Sequence, residues 1–148
     1  MIDNFIAALL VVGFLALWII TWVSISYLAG RVSGWQKLAL MYPDTAKGQV
    51  GEKKRWLYIR FGSSRYNGAV VFEALSVGLR IKTIWPFRFG QPTMVVPWSE
   101  IAEPEKMNTN AWNYMYTHQF TIQGAKHPVS CSAEHAEWLS CKKKEFSF

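Results

Sequence analysis

The sequence predicts one apolar N-terminal helix able to cross a bilayer, followed by a mainly-β domain, a partly open barrel, that ends in a helix. Three observations carry this expectation. No charged residue occurs between residues 5 and 29. From residue 56 the chain breaks into short alternating runs separated by Gly, Pro and Asn, the pattern of antiparallel strands. Near the C-terminus, Ser132 precedes a stretch with apolar residues at helical spacing. The 148 residues leave roughly 115 after the apolar stretch, enough for one core.

At about 1.5 Å per residue the uncharged run reaches roughly 37 Å, more than the ~30 Å hydrocarbon slab, so it can cross with some tilt. Met1-Ile2-Asp3-Asn4 lacks the basic flank of a signal peptide, and Tyr27-Leu28-Ala29-Gly30 is a poor cleavage site, so an uncleaved, single-pass anchor is expected. All 16 Lys and Arg lie at or beyond Arg31. By the positive-inside bias the domain should face the cytoplasm from the inner membrane. Two cysteines, Cys131 and Cys141, are too few for a disulfide framework, and that compartment keeps them reduced.

Within the anchor, Trp18 and Trp22 share a face one turn apart, and Tyr27 falls near the inner interface, where amphipathic rings are favoured. Beyond Arg31, Trp35, Leu38, Ala39 and Tyr42 line one side of a short helix that Pro43 stops. Two placements are open: at the bilayer surface with Trp35 at headgroup depth and Lys37 on phosphates, or docked on the protein's own domain. A polar stretch with Glu52-Lys53-Lys54-Arg55 then reads as a linker. The division is therefore anchor 1–30, amphipathic helix and basic linker 31–55, and β domain 56–148.

Six strands are expected. Leu57, Ile59 and Phe61 alternate with Arg60 and the rings of Trp56 and Tyr58. A loop with an Asn67-Gly68 turn signal leads into the apolar run 69–75, broken only by Glu73. Ser76-Val77-Gly78 turns the chain into 79–85, and a long Pro- and Phe-rich loop precedes 93–98. Tyr116, His118, Phe120 and Ile122 alternate with polar residues, and the turn 123–126 leads to 127–131. Glu134 in the first turn of the last helix and Lys142, Lys143 and Lys144 near its end suit the helix dipole.

Six antiparallel strands and a terminal helix are the layout of pleckstrin-homology-like and GRAM-like barrels. The segments Leu75-Ser76-Val77-Gly78-Leu79-Arg80-Ile81, Pro86-Phe87-Arg88-Phe89-Gly90 and Val95-Val96-Pro97-Trp98-Ser99-Glu100-Ile101 resemble the corresponding parts of such domains in small bacterial membrane proteins. The resemblance implies a PH-like fold, and by extension the binding of phosphoinositides or proteins. Its motif residues are core and turn positions without chemistry of their own.

Charge is the next clue. Arg31, Lys37, Lys47, Lys53, Lys54, Arg55, Arg60 and Arg65 stand against Asp44 and Glu52 in residues 31–65. At about 1 kcal/mol per basic residue near an anionic leaflet, Arg31, Lys37, Lys53, Lys54 and Arg55, with Trp35, make a candidate lipid-contact set. The same charge also serves as a topology determinant and a solubilising surface. Basic residues beside an anchor, with no recognition motif, do not point to nucleic acid.

His127, Cys131, His135 and Cys141 lack the tight Cys-x-x-Cys turn of structural zinc sites, so no metal is expected. Cys131 with His127 or His118 gives no complete nucleophile, base and acid set, and neither a Ser elbow nor a phosphate-cradling loop is present. The expectation is a protein without cofactor or enzymatic activity. Eight Trp and nine Phe exceed what one small core hides. Trp85, Phe87, Arg88, Phe89 and Trp112 therefore form the candidate contact surface for a protein partner or the membrane interface. The functional expectation is a membrane-tethered adaptor or accessory subunit, with anionic-lipid binding through the basic face as the alternative.

Overall fold

The computed structural model describes residues 2–147. Helix α1 (Ile2–Val32) is long and apolar enough to cross a membrane: its most apolar window has a mean hydropathy of 2.6 and is wholly unburied. Asp3 sits in its first turn and Arg31 in its last, both favourable to the helix dipole. Gly34, in the left-handed region at φ 83°, breaks the path and starts α2 (Trp35–Met41).

The domain is a curled, seven-stranded antiparallel sheet forming a half-barrel, closed off by a C-terminal helix. The strands are β1 (Glu52–Phe61), β2 (Ser64–Leu75), β3 (Gly78–Thr83), β4 (Met94–Val96), β5 (Glu105–Lys106), β6 (His118–Phe120) and β7 (Val129–Cys131). They lie in the order β4-β3-β2-β1-β7-β6-β5.

The β1–β2 hairpin turns at Gly62, with φ 62°, and not at Asn67-Gly68, which lies inside β2. The register slips near Trp56 and again opposite Gly68, both with positive φ, so extra residues bulge each strand. Such bulges strengthen twist and bend the sheet, and that is the work the Asn67-Gly68 pair performs here. The run expected over 116–122 pairs only at His118–Phe120, with Ile122 bridging Ile101, and β5 is a short edge strand beyond the six expected.

The core fills the concave side. Leu57 and Ile59 of β1, Phe72 of β2, Ile81 of β3 and Phe120 of β6 are almost fully buried. Helix α3 (Ala133–Phe146), capped by the Ser132 hydroxyl accepting from the His135 N–H, covers one side with Ala136, Trp138 and Leu139. Trp138 Nε1 donates to Glu52 Oε1 at 2.8 Å, and Phe146 stacks on Trp98 with centroids 6.0 Å apart.

Helix α2 closes another side and corrects the surface placement of Trp35. That ring is 0% exposed, tilted against Phe61 and Tyr66 at 5.3 and 5.4 Å, with Nε1 donating to the Pro92 carbonyl at 2.8 Å. A large apolar ring whose one polar atom is satisfied gains more from the core than from the headgroup layer.

Nor is the stretch after α2 a free linker. On the convex face, Glu73 and Arg80 are register partners and both buried. Arg80 meets Glu73 at 3.0 Å and Asp44 at 3.3 Å, and also donates to the carbonyls of Gln49 and Ala46, which straps residues 44–51 across β2 and β3. Glu73 further accepts from the Gly51 N–H at 3.0 Å and meets Lys82 at 3.3 Å and Lys53 at 3.6 Å.

Candidate functional site

The residues that set the domain against the apolar helix lie at the end of α1. Ile2 to Thr21 are exposed among the described residues, and the first partly covered residue is Trp22. That uncovered length is about 30 Å, the thickness of the hydrocarbon slab. Everything from Trp22 onward is thus available to pack on the protein.

Ser26 and Gly30, small residues one turn apart, are the buried face of this end. Small side chains let backbones approach closely. A Cβ on Gly30 would overlap the Gly90 carbonyl, and one on Gly90 would overlap the Ser26 carbonyl and the Tyr27 backbone. The contact is stitched by hydrogen bonds: Gln91 Nε2 donates to the Ser26 carbonyl at 2.8 Å, and Ser64 Oγ to the Ala29 carbonyl at 3.4 Å. Gln36 Nε2 bridges the carbonyls of Tyr27 and Gly90, both at 3.2 Å. Trp22 stacks on Trp18 at 6.0 Å and meets Phe87 at 5.3 Å.

Of the contact residues singled out from the sequence, Phe87 is half-buried between Trp22 and the core. Trp85 and Phe89 are 73% and 55% exposed on the same loop. Arg88 is exposed, its Nε donating to the Thr83 carbonyl at 3.0 Å. Trp112, 88% exposed, stands on the separate loop between β5 and β6 near exposed Tyr114.

The basic set does not converge. Arg31 and Lys37 are exposed beside the helix junction, while Lys53, Lys54 and Arg55 lie at the far end of β1, roughly 20 Å away at about 3.3 Å per residue. Lys53 is partly committed to Glu73, and Lys54 pairs with Glu134 at 3.0 Å, drawing that carboxyl below its ordinary pKa. The cation that lines the crevice at the junction is Arg65, on β2, together with Tyr66 and Gln91. This junction was missed from the sequence; the pattern Ser26-x-x-x-Gly30 near the end of α1 is the signal that could have found it.

Of the groups weighed for chemistry, His118 and Cys131 are register partners on β6 and β7, and His118 lines one crevice with Cys141. Burial pushes the Cys131 thiol up to about 12, far from a reactive thiolate. His118 shares a hydrogen bond with Thr117 at 2.9 Å, and His127 is exposed. His135 Nδ1 contacts the Ser132 hydroxyl at 2.6 Å, and its pKa is lowered, chiefly by burial. Among the described residues no three His, Cys, Asp or Glu gather as a metal site would require. Comparison with protein-family models, curated proteins and solved structures finds no match for this chain.

Proposed function

We propose that this protein is a non-enzymatic, membrane-tethered adaptor or accessory subunit that binds a protein partner at the membrane, its half-barrel facing the cytoplasm. The observation that carries this reading is the docked helix end. Gly30 against Gly90 and Trp22 against Phe87 fix the half-barrel to the apolar helix and hold the loop that carries the exposed Trp85 and Phe89 beside it. Loops positioned by a rigid scaffold are common binding elements, and exposed aromatics with Arg are enriched where proteins meet. The half-barrel with its terminal helix is compatible with the PH-like, GRAM-like resemblance to small bacterial membrane proteins. The buried Cys131 and bonded His118 favour a binding role over catalysis.

The test uses the full chain, because residues 22–42 belong to the fold. Tagged protein purified from gently solubilised membranes should bring down one partner at fixed stoichiometry. The double variant Trp85→Ser, Trp112→Ser should lose it while keeping the wild-type circular dichroism. Absence of any stoichiometric partner, or its full retention by the variant, would overturn the reading. The alternative, anionic-lipid binding through one basic face, is weakened because the basic residues divide between two ends of β1.

A further inference from the structure

A crevice of about 320 Å³ runs between α1 and the half-barrel. Trp22, Ile25, Ala29 and Phe87 give it an apolar side, and Arg65 and Gln91 a polar one. It begins at the first residue of α1 that the domain touches, one hydrocarbon thickness from the start of the helix, so its apolar side opens where acyl chains meet headgroups. Water is not the natural occupant of such a place.

Three features of the crevice lack a partner. Trp22 Nε1, a donor, is buried without a hydrogen bond among the described residues. Gln91 is 1% exposed, and its Oε1, an acceptor, is likewise unmatched, although its Nε2 is anchored on the Ser26 carbonyl. Arg65 forms no ion pair with any carboxylate among the described residues. Buried polar atoms left single are costly and call for an explanation.

We propose that this crevice holds one anionic glycerophospholipid. Its phosphate pairs with Arg65, an ester carbonyl accepts from Trp22 Nε1, a headgroup hydroxyl such as that of phosphatidylglycerol donates to Gln91 Oε1, and an acyl chain lies along Trp22, Ile25 and Phe87. The occupant follows from the setting: the crevice has a cationic end and an apolar end, in the order in which a phospholipid presents its own groups at that depth. The site is separate from the dispersed basic set of residues 31–55. It depends on α1 crossing the bilayer and not on the partner-binding role.

The test is native mass spectrometry of the full chain in non-ionic detergent, with dioleoyl-phosphatidylglycerol or dioleoyl-phosphatidylcholine added. A phosphatidylglycerol carrying a photoreactive diazirine in its acyl chain maps the site. One phosphatidylglycerol per chain should be retained in preference to phosphatidylcholine, and cross-links should fall on Trp22, Ile25 and Phe87. Arg65→Gln should lower retention about fivefold, and Arg65→Glu further, in line with the worth of one basic contact to an anionic headgroup. Arg65 is exposed, so both variants should keep the wild-type thermal transition. Ala29→Trp, which fills the crevice, should abolish the cross-links. Equal retention by wild type and both Arg65 variants, no preference between the lipids, or cross-links spread along Ile2 to Thr21 would each overturn the proposal.

Discussion

The closest contact between the apolar helix and the half-barrel gives a sharp test at Gly30. An Ala there adds one methyl, which the helix itself welcomes by about 1 kcal/mol. That methyl overlaps the Gly90 carbonyl, a backbone atom that cannot swing aside. The helix end and the loop must separate, breaking the buried bond from Gln91 to the Ser26 carbonyl, loosening the two bonds of Gln36 and parting Trp22 from Phe87. At about 1 kcal/mol for each hydrogen bond and a similar sum for the ring pair, docking weakens by roughly 3 kcal/mol. Amide hydrogen exchange of residues 84–92 in detergent should therefore accelerate about a hundredfold, while sheet amides such as those of Phe72 and Ile81 keep their protection. Gly13→Ala is the control, since nothing lies within 4 Å of a Cβ there, and it should change nothing. If Gly30→Ala leaves exchange in 84–92 within about threefold of wild type, the helix is not docked as described.

Trp35→Ala should cost about 3–5 kcal/mol in chemical denaturation, the range for an aromatic ring removed from a core, whereas a headgroup-layer Trp would cost little. Burial raises the Glu73 carboxyl, but the Gly51 N–H, Arg80 and Lys82 outweigh it and hold its pKa at about 2, against 4.5 ordinarily. A depressed carboxylate stabilises the fold above its unfolded pKa, so about 3 kcal/mol should be lost as pH falls from 4.5 towards 2. The pH dependence of the denaturation midpoint should show that loss, and Glu73→Gln should flatten it. Maleimide should label exposed Cys141 in the folded protein and reach Cys131 only on unfolding; equal labelling of both would refute the buried position of Cys131.

The fold was legible where the local pattern and the tertiary solution agree. Residues 57, 59 and 61 alternate because one side of β1 faces the core, and Ser132 caps because its oxygen meets the first free N–H groups of α3. Asn67-Gly68 misled because the geometry that makes a turn also makes a bulge, and only the partner strand decides which forms. Trp35 was undecided in the sequence because one apolar face suits a bilayer surface and a core equally, and periodicity does not name what lies opposite.

Among the contact residues, Trp85, Phe89 and Trp112 could be expected to be exposed from the excess of aromatics alone. Arg65, Gln91 and Ser26 were missed as a group because they come from three distant segments that only the docked helix end brings together. The buried pair Glu73 and Arg80 hid for a similar reason. Glu73 stood as the one break in an apolar run and Arg80 as the solvent side of an alternating strand, and only residues 44–51 laid across them show both to be buried.

The stitched junction leaves the protein without a swivel between its two parts. A helix in a bilayer thinner or thicker than its apolar length adjusts by leaning, typically by about 20°. Here the half-barrel is bolted to the end of that helix through Ser26, Gly30 and Phe87, so it leans by the same angle. With α1 across a bilayer, a change of membrane thickness would thus become a change in the direction in which Trp85 and Phe89 point, as a needle's tilt moves its tip.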